Sequence, residues 1–268
     1  MTDPSPLLLR RERDLLWVTL DEPERANALS PALVAALTEV YSRPLLSEGV
    51  RAVILGAAGR NFSAGADLAH LRSLQTATLE DNRADSRRLR DLFAAVLRQE
   101  ALTVALVQGA CIAGGCGLAT AHDFVLAADD SRFMYSEVKI GFVAALVATF
   151  LPLRVRGSDL RELLLFPRLL EAKEALAVGL VNRIVSHDQL EEVGLHFVGE
   201  VLANASSQSI ARTKRLLLEI VGRPLDEALD LAAEANAHAR LAEDCQRGIA
   251  HFLEHKKAPS WRQPPPHT

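Results

Sequence analysis

The residues best suited to chemistry in this chain lie in two glycine-bearing segments. One is Asn61-Phe62-Ser63-Ala64-Gly65-Ala66-Asp67-Leu68, and the other is Gln108-Gly109-Ala110-Cys111-Ile112-Ala113-Gly114-Gly115-Cys116-Gly117. Each follows a short apolar run, residues 52–55 and 104–107, that reads as a buried strand. Each segment therefore leaves a strand end and opens a helix. Small residues there let another molecule approach the backbone, and the first N–H groups of a helix have no intrahelical partner. One such N–H from each segment could bind a carbonyl oxygen and hold its charge as it becomes an oxyanion.

The elements that must carry these segments follow from the rest of the chain. Residues 15–20 read as a strand, and Ser30-Pro31 as an N-cap with proline at the first helical position of a helix reaching Tyr41. Residues 50–55, 103–107 and 124–127 are further strands, residues 79–99 an amphipathic helix and 114–121 a short buried one. Strands alternating with helices give an α/β core with much parallel pairing. After Gly141 the pattern turns helical: 144–154, 158–166, 171–178, 188–203 and 206–221, then 224–254 with a break near Glu243-Asp244. A short strand is expected over 181–185. The domain reading is an α/β core over 1–200, a helical region over 201–258 and an extended, flexible tail over 259–268 with its run of prolines.

Composition narrows the classes. With 268 residues, 49% hydrophobic and 24% charged, the chain is an ordinary globular protein. A net charge of -4 and the lack of an aromatic-basic platform argue against nucleic acid as partner. No apolar run reaches membrane-span length, and residues 1–6 lack a signal-peptide layout. The three cysteines, Cys111, Cys116 and Cys245, have no metal-binding or disulfide spacing. The expected setting is the cytoplasm, with no metal and no cofactor.

Taken in order, these segments resemble the enoyl-CoA hydratase/isomerase family, the crotonase superfamily. The anchors are Pro23-Glu24-Arg25-Ala26-Asn27-Ala28-Leu29, residues 62–68, residues 109–117, Asp123, residues 133–141, residues 172–185 and Phe252-Leu253-Glu254-His255-Lys256-Lys257. The resemblance covers nearly the whole chain and implies a spiral of repeated ββα units with a C-terminal helical trimerisation region. It implies an acyl-CoA thioester as substrate and assembly as a homotrimer or a hexamer of stacked trimers. It makes the N–H groups of Ala66 and Gly114 the oxyanion hole. Coenzyme A contacts carry over to Glu24, Arg25, Ala26, Ala28, Ala64, Asp67 and Leu68, and to the basic pair Lys256 and Lys257. Arg25 is either a phosphate ligand, which suits its forked guanidinium, or an exposed loop arginine. The lysines are either phosphate contacts or a solvated helix end.

Hydratases of this family generally use two glutamates, and the resemblance assigns one of them to Glu137. That residue precedes Ile140-Gly141-Phe142-Val143, so apolar surroundings should raise its pKa towards the range of a general acid/base. The position of the other glutamate is Gly117, which carries no proton. A second departure is Ala144-Ala145-Leu146-Val147, where relatives have a glycine-rich turn, and bulkier residues there should reshape the acyl pocket. The expectation is enoyl-CoA hydration with Glu137 as acid/base. Double-bond isomerisation, which needs a single base, is the main alternative. Decarboxylation and a non-catalytic acyl-CoA-binding protein rank lower. His122 beside Asp123 reads as core packing, and no nucleophile elbow is present.

Overall fold

A computed structural model describes residues 5–262. Strands β1 (Leu7–Glu12) and β2 (Leu15–Leu20) form an antiparallel hairpin, turned through Arg13 at φ 55°. Ser30 accepts from the Leu33 N–H (3.1 Å) with Pro31 in the first turn, and so starts α1 (Pro31–Tyr41). Then come β3 (Ala52–Ala57), α2 (Leu68–Leu74), α3 (Leu79–Arg98), β4 (Leu102–Val107), β5 (Ala110–Ile112), α4 (Gly114–Thr120), β6 (Phe124–Ala128) and β7 (Arg132–Met134). The remainder is α5 (Gly157–Leu165), β8 (Leu170–Glu171), α6 (Ala172–Ala177), β9 (Arg183–Val185), α7 (Leu190–Asn204), α8 (Ser207–Glu219), α9 (Leu225–Arg240) and α10 (Glu243–His255).

The main sheet has the order β1-β2-β3-β4-β6-β9, parallel throughout except for β1. A second sheet, β5-β7-β8, lies beyond the strand ends that lead into the glycine segments. Side chains alternate across the main sheet, as the period-2 geometry of a strand requires. Val18, Val53, Leu55, Ala105 and Val125 face α1, α3 and α4, while Trp17, Ile54, Val104, Leu106 and Leu126 face α7. With both faces covered, the parallel strands read as continuous apolar runs. This is why residues 52–55 and 104–107 were legible as strands.

Three features differ from expectation. Residues 144–154 do not form a helix but two 3₁₀ turns, Val147–Thr149 and Leu151–Leu153. Pro152 explains the break, because inside an α-helix its ring meets the carbonyl four residues earlier. Strand β1 was not anticipated, since its turn uses a left-handed Arg13 where glycine would have signalled it. The expected tail begins at Pro259, yet Trp261 donates its backbone N–H to Ala203 O (2.9 Å) under the guanidinium of Arg247. The rest of that tail lies outside the described residues. Among those described, no helix is long and apolar enough to cross a membrane.

Candidate active site

The two glycine segments are joined to each other by backbone. Phe62 N–H donates to Gln108 O (2.9 Å), Ser63 N–H to Ala110 O (3.1 Å), and Ile112 N–H to Ser63 O (2.9 Å). Their approach is so close that side chains are excluded. A Cβ on Gly115 would stand 2.8 Å from Ser63 Cβ, and one on Gly65 would stand 2.7 Å from Ile112 O. Glycine is required at both places by contact and not only by flexibility.

Both proposed donors are aimed by an unusual residue just before them. Gly65, before Ala66, has φ +85°. Ala113, before Gly114, has φ 48° and ψ -120°, a conformation that L-residues rarely adopt. The ψ of the preceding residue fixes the plane of the peptide that carries the N–H, so these backbones set where each donor points. Gly114 is the first residue of α4 and has no intrahelical acceptor. Among the described residues no backbone acceptor takes the Ala66 N–H. Leu29 bridges the two segments, donating its N–H to Gly65 O (2.7 Å) with its Cδ1 3.1 Å from where a Cβ on Gly114 would be.

Glu137 is tied to the same unit. Ala113 N–H donates to Met134 O (2.7 Å), and Thr120 on α4 hydrogen-bonds Tyr135 OH (3.2 Å). The strand β7 that delivers Glu137 is thereby stitched to the helix that carries Gly114. Glu137 opens a 3₁₀ turn, Glu137–Ile140, closed when Phe142 N–H donates to Glu137 O (3.0 Å). Its Oε2 is buried with no hydrogen-bond partner. Burial pushes its pKa above the ordinary carboxylate range, against a smaller lowering from the backbone amides of Glu137 and Ser136. Ile140, Phe142 and Val143 are exposed beside it.

The residues carried over for coenzyme A fall into distinct groups. Glu24, Ala64 and Leu68 are exposed, Ala28 is buried, and Ala26 is left-handed with its carbonyl accepting from Ala64 N–H (2.9 Å). Asp67 is only 5% exposed, and its carboxylate is committed within the protein. It caps α2 through the N–H groups of Ala69 (2.8 Å) and His70 (3.1 Å) and pairs with Arg25. Any contact of Asp67 with a ligand is therefore left to its backbone. Arg25 also reaches Glu22 (3.5 Å) and keeps half its side chain in solvent. Lys256 and Lys257 stand exposed past the end of α10, whose main neighbours are α8 and α9. No hydrogen bond or ion pair among the described residues links them to the first loop.

Sequence reasoning gave no role to Asn27, which organises this loop. Fully buried, it donates to Ala58 O (2.9 Å) and Asn61 O (2.9 Å) and accepts from Glu22 N–H (2.9 Å). Ser63 Oγ donates in turn to Asn27 O (2.8 Å). A lone amide between alanines in a turn was the available signal. His122 is a core residue, as expected: Tyr41 OH lies 2.7 Å from Nε2 and Leu118 O 2.8 Å from Nδ1. Burial holds its pKa down to about 3 and keeps it neutral. Asp123 pairs with Lys214 of α8 (2.7 Å), so the two neighbours form no dyad.

Comparison with known proteins gives the family and the fold. The family model for enoyl-CoA hydratase/isomerase matches residues 10–264. A Thermus thermophilus protein named for enoyl-CoA hydratase is 44% identical over 237 residues, 88% of this chain and 93% of its own length. Among solved structures, Pseudomonas aeruginosa AtuE superposes with a TM-score of 0.89 at 32% identity, over 96% of this chain and 100% of its own. An enoyl-CoA hydratase of Mycobacterium smegmatis gives 0.88 at 30% identity, over 97% and 99%. The fold is the crotonase fold, with its helical C-terminal region, and the chain belongs to the enoyl-CoA hydratase/isomerase family.

Proposed function

We propose that the protein hydrates a 2-enoyl-CoA thioester, with Glu137 as its single acid/base and the N–H groups of Ala66 and Gly114 as oxyanion hole. The observation that carries this reading is the Glu137 carboxyl, held with one buried, unpartnered oxygen and a raised pKa. A carboxylate so placed takes a proton from water as the water oxygen adds to C3. The double-bond electrons move onto the thioester oxygen, and the enolate forms against the two N–H groups, each worth about 3 kcal/mol in such sites. Glu137 then returns its proton to C2, so that the elements of water have been added. These steps use no metal or cofactor.

Coenzyme A is expected along the Glu24–Ala28 loop and the exposed Ala64 and Leu68, with the backbone of Asp67, and with Arg25 offered to a phosphate. Lys256 and Lys257 complete this set only if assembly brings them to a neighbouring site. A homotrimer, or two stacked trimers, is supported by α8, α9 and α10, which contain no buried residue and expose Leu225, Leu229, Phe252 and Leu253. Free cysteines support a cytoplasmic setting.

Isomerisation between 3-enoyl and 2-enoyl thioesters is the second reading, and Gly117 favours it because one base is enough to carry a proton from C2 to C4. The test is mass spectrometry of crotonyl-CoA and 3-hexenoyl-CoA in heavy water, with wild type and Glu137→Gln. A hydrated crotonyl product that vanishes in the variant supports hydration. Conversion of 3-hexenoyl-CoA without hydration replaces it with isomerisation.

A further inference from the structure

Gly117 stands one turn beyond Gly114, on the same face of α4. The space in front of it is occupied. A Cβ on Gly117 would lie 2.9 Å from Phe93 Cζ and 3.3 Å from Val147 Cγ1. Phe93 and Val147 are each only 3% exposed, and Phe93 is braced edge-on by Phe150 with ring centroids 5.5 Å apart. Val147 belongs to the stretch where bulkier residues replace a glycine-rich turn. The two departures seen in the sequence thus meet in space: Gly117 of α4 faces Phe93 of α3 and Val147 of the turn that follows Glu137.

The helix that carries Gly117 is held to the strand that leads to Glu137 by the Ala113–Met134 and Thr120–Tyr135 hydrogen bonds. Neither Phe93 nor Val147 carries a side-chain donor or acceptor. Neither a water molecule nor a polar substituent is stabilised against them. Neither of the residues that face Gly117 can therefore carry a proton, and the wall they offer there is apolar.

We propose that Phe93 and Val147 are specificity-determining residues that set the volume open to the α- and β-carbons of the acyl group on the Gly117 side. The proposal rests on the reading of this site as an acyl-CoA site. Truncating the wall should admit bulkier acyl groups, and the change should appear as a shift in substrate ratio rather than a uniform loss.

The test is kcat/KM for crotonyl-CoA and for 3-methylcrotonyl-CoA in wild type, Phe93→Ala, Val147→Ala and Leu92→Val. Leu92 is a buried neighbour on α3 and is not among the side chains nearest to Gly117. The branched-to-linear ratio should rise about tenfold in Phe93→Ala, as one methyl group in an apolar pocket is worth. It should rise less in Val147→Ala and stay unchanged in Leu92→Val. If Phe93→Ala does not fold, Phe93→Leu combined with Val147→Ala opens the same space. An equal ratio in all folded variants, with wild type turning over, overturns the wall and leaves the reaction standing. Should wild type turn over neither thioester, the reaction reading fails, and the same ratio is measured as dissociation constants by calorimetry. Equal ratios there overturn the wall as well.

Discussion

The two glycine segments and the last three helices are opposite kinds of structure. Segments 62–68 and 109–117 are locked to each other by backbone hydrogen bonds and by contacts that leave no room for a Cβ at Gly65 or Gly115. Helices α8, α9 and α10 contain no buried residue, and leave Leu225 72% and Leu253 62% exposed. The two glycine segments are packed against each other within one chain, whereas the helical region leaves large apolar side chains exposed. The two regions are held by different forces, and perturbing one should leave the other measurable.

The sharpest way to break the first region is Gly65→Ala. The new Cβ meets Ile112 O at 2.7 Å and Ala113 Cβ at 3.1 Å, on a backbone at φ +85°. Overpacking together with left-handed strain should cost about 4 kcal/mol. Activity should fall with it, because the same movement displaces the Ala66 N–H. Chemical denaturation and crotonyl-CoA turnover check this. A stable, fully active variant would mean that the segments are not locked as described.

Lys214→Ala tests the junction between the regions. Lys214 of α8 reaches Asp123 and Ala101 O, both at 2.7 Å, and its side chain is 12% exposed. Its removal leaves Asp123 with only the Thr103 N–H (2.8 Å) and Thr103 hydroxyl (3.0 Å). The loss should be about 3 kcal/mol, the low end for a buried pair because Asp123 is partly exposed. Hydrogen exchange should quicken in α8 while the glycine segments stay protected. Equal loss of protection in both would show that the two regions unfold as one.

How much of this was legible in the sequence depends on whether a feature leaves a mark in residue type. The buried strands did, because parallel strands covered on both faces are continuous apolar runs. Gly65 did too, because a glycine at a strand end advertises its freedom. Ala113 did not, since alanine gives no sign of a positive φ, although this backbone aims the Gly114 N–H. The absence of a carboxylate at Gly117 could be read directly. What fills the space could not, because Phe93 and Val147 come from elements far apart in the chain and meet only through packing. The helix expected over 144–154 is absent for the opposite reason: its apolar content suits a helix, while Pro152 within it breaks one.

Glu137→Gln separates function from stability within the first region. The folded-state pKa of Glu137 is raised by burial, so its contribution to stability is fully present below the unfolded-state pKa. That contribution is lost as pH rises through the raised value. Above that value the charged side chain opposes folding, and glutamine should raise the Tm, by an amount that solvent screening of the half-buried carboxylate keeps small. The gain should disappear at pH values below the carboxylate range. Turnover should drop by about a thousandfold. Calorimetric scans across pH read the first effect, and a destabilised variant at neutral pH would remove the premise that the carboxyl is held against its solvation.

Ala113→Gly has the smallest expected effect and bears most directly on how the site is aimed. Ala113 sits at φ 48° and ψ -120° because its flanks leave it little choice. Its own N–H is bound to Met134 O (2.7 Å), and its carbonyl accepts from Gly117 N–H (3.1 Å). Glycine adopts this conformation without strain but loses more entropy on folding, so the net gain should be about 1 kcal/mol. If the flanking hydrogen bonds alone fix the Gly114 N–H, turnover stays within about twofold of wild type, a change of roughly 0.4 kcal/mol in barrier. If the alanine methyl, packed towards Gly65, also holds the donor in place, the variant melts higher and turns over more slowly. Stability and kcat measured on the same sample distinguish a donor aimed by its hydrogen bonds from one aimed by contact between the two segments.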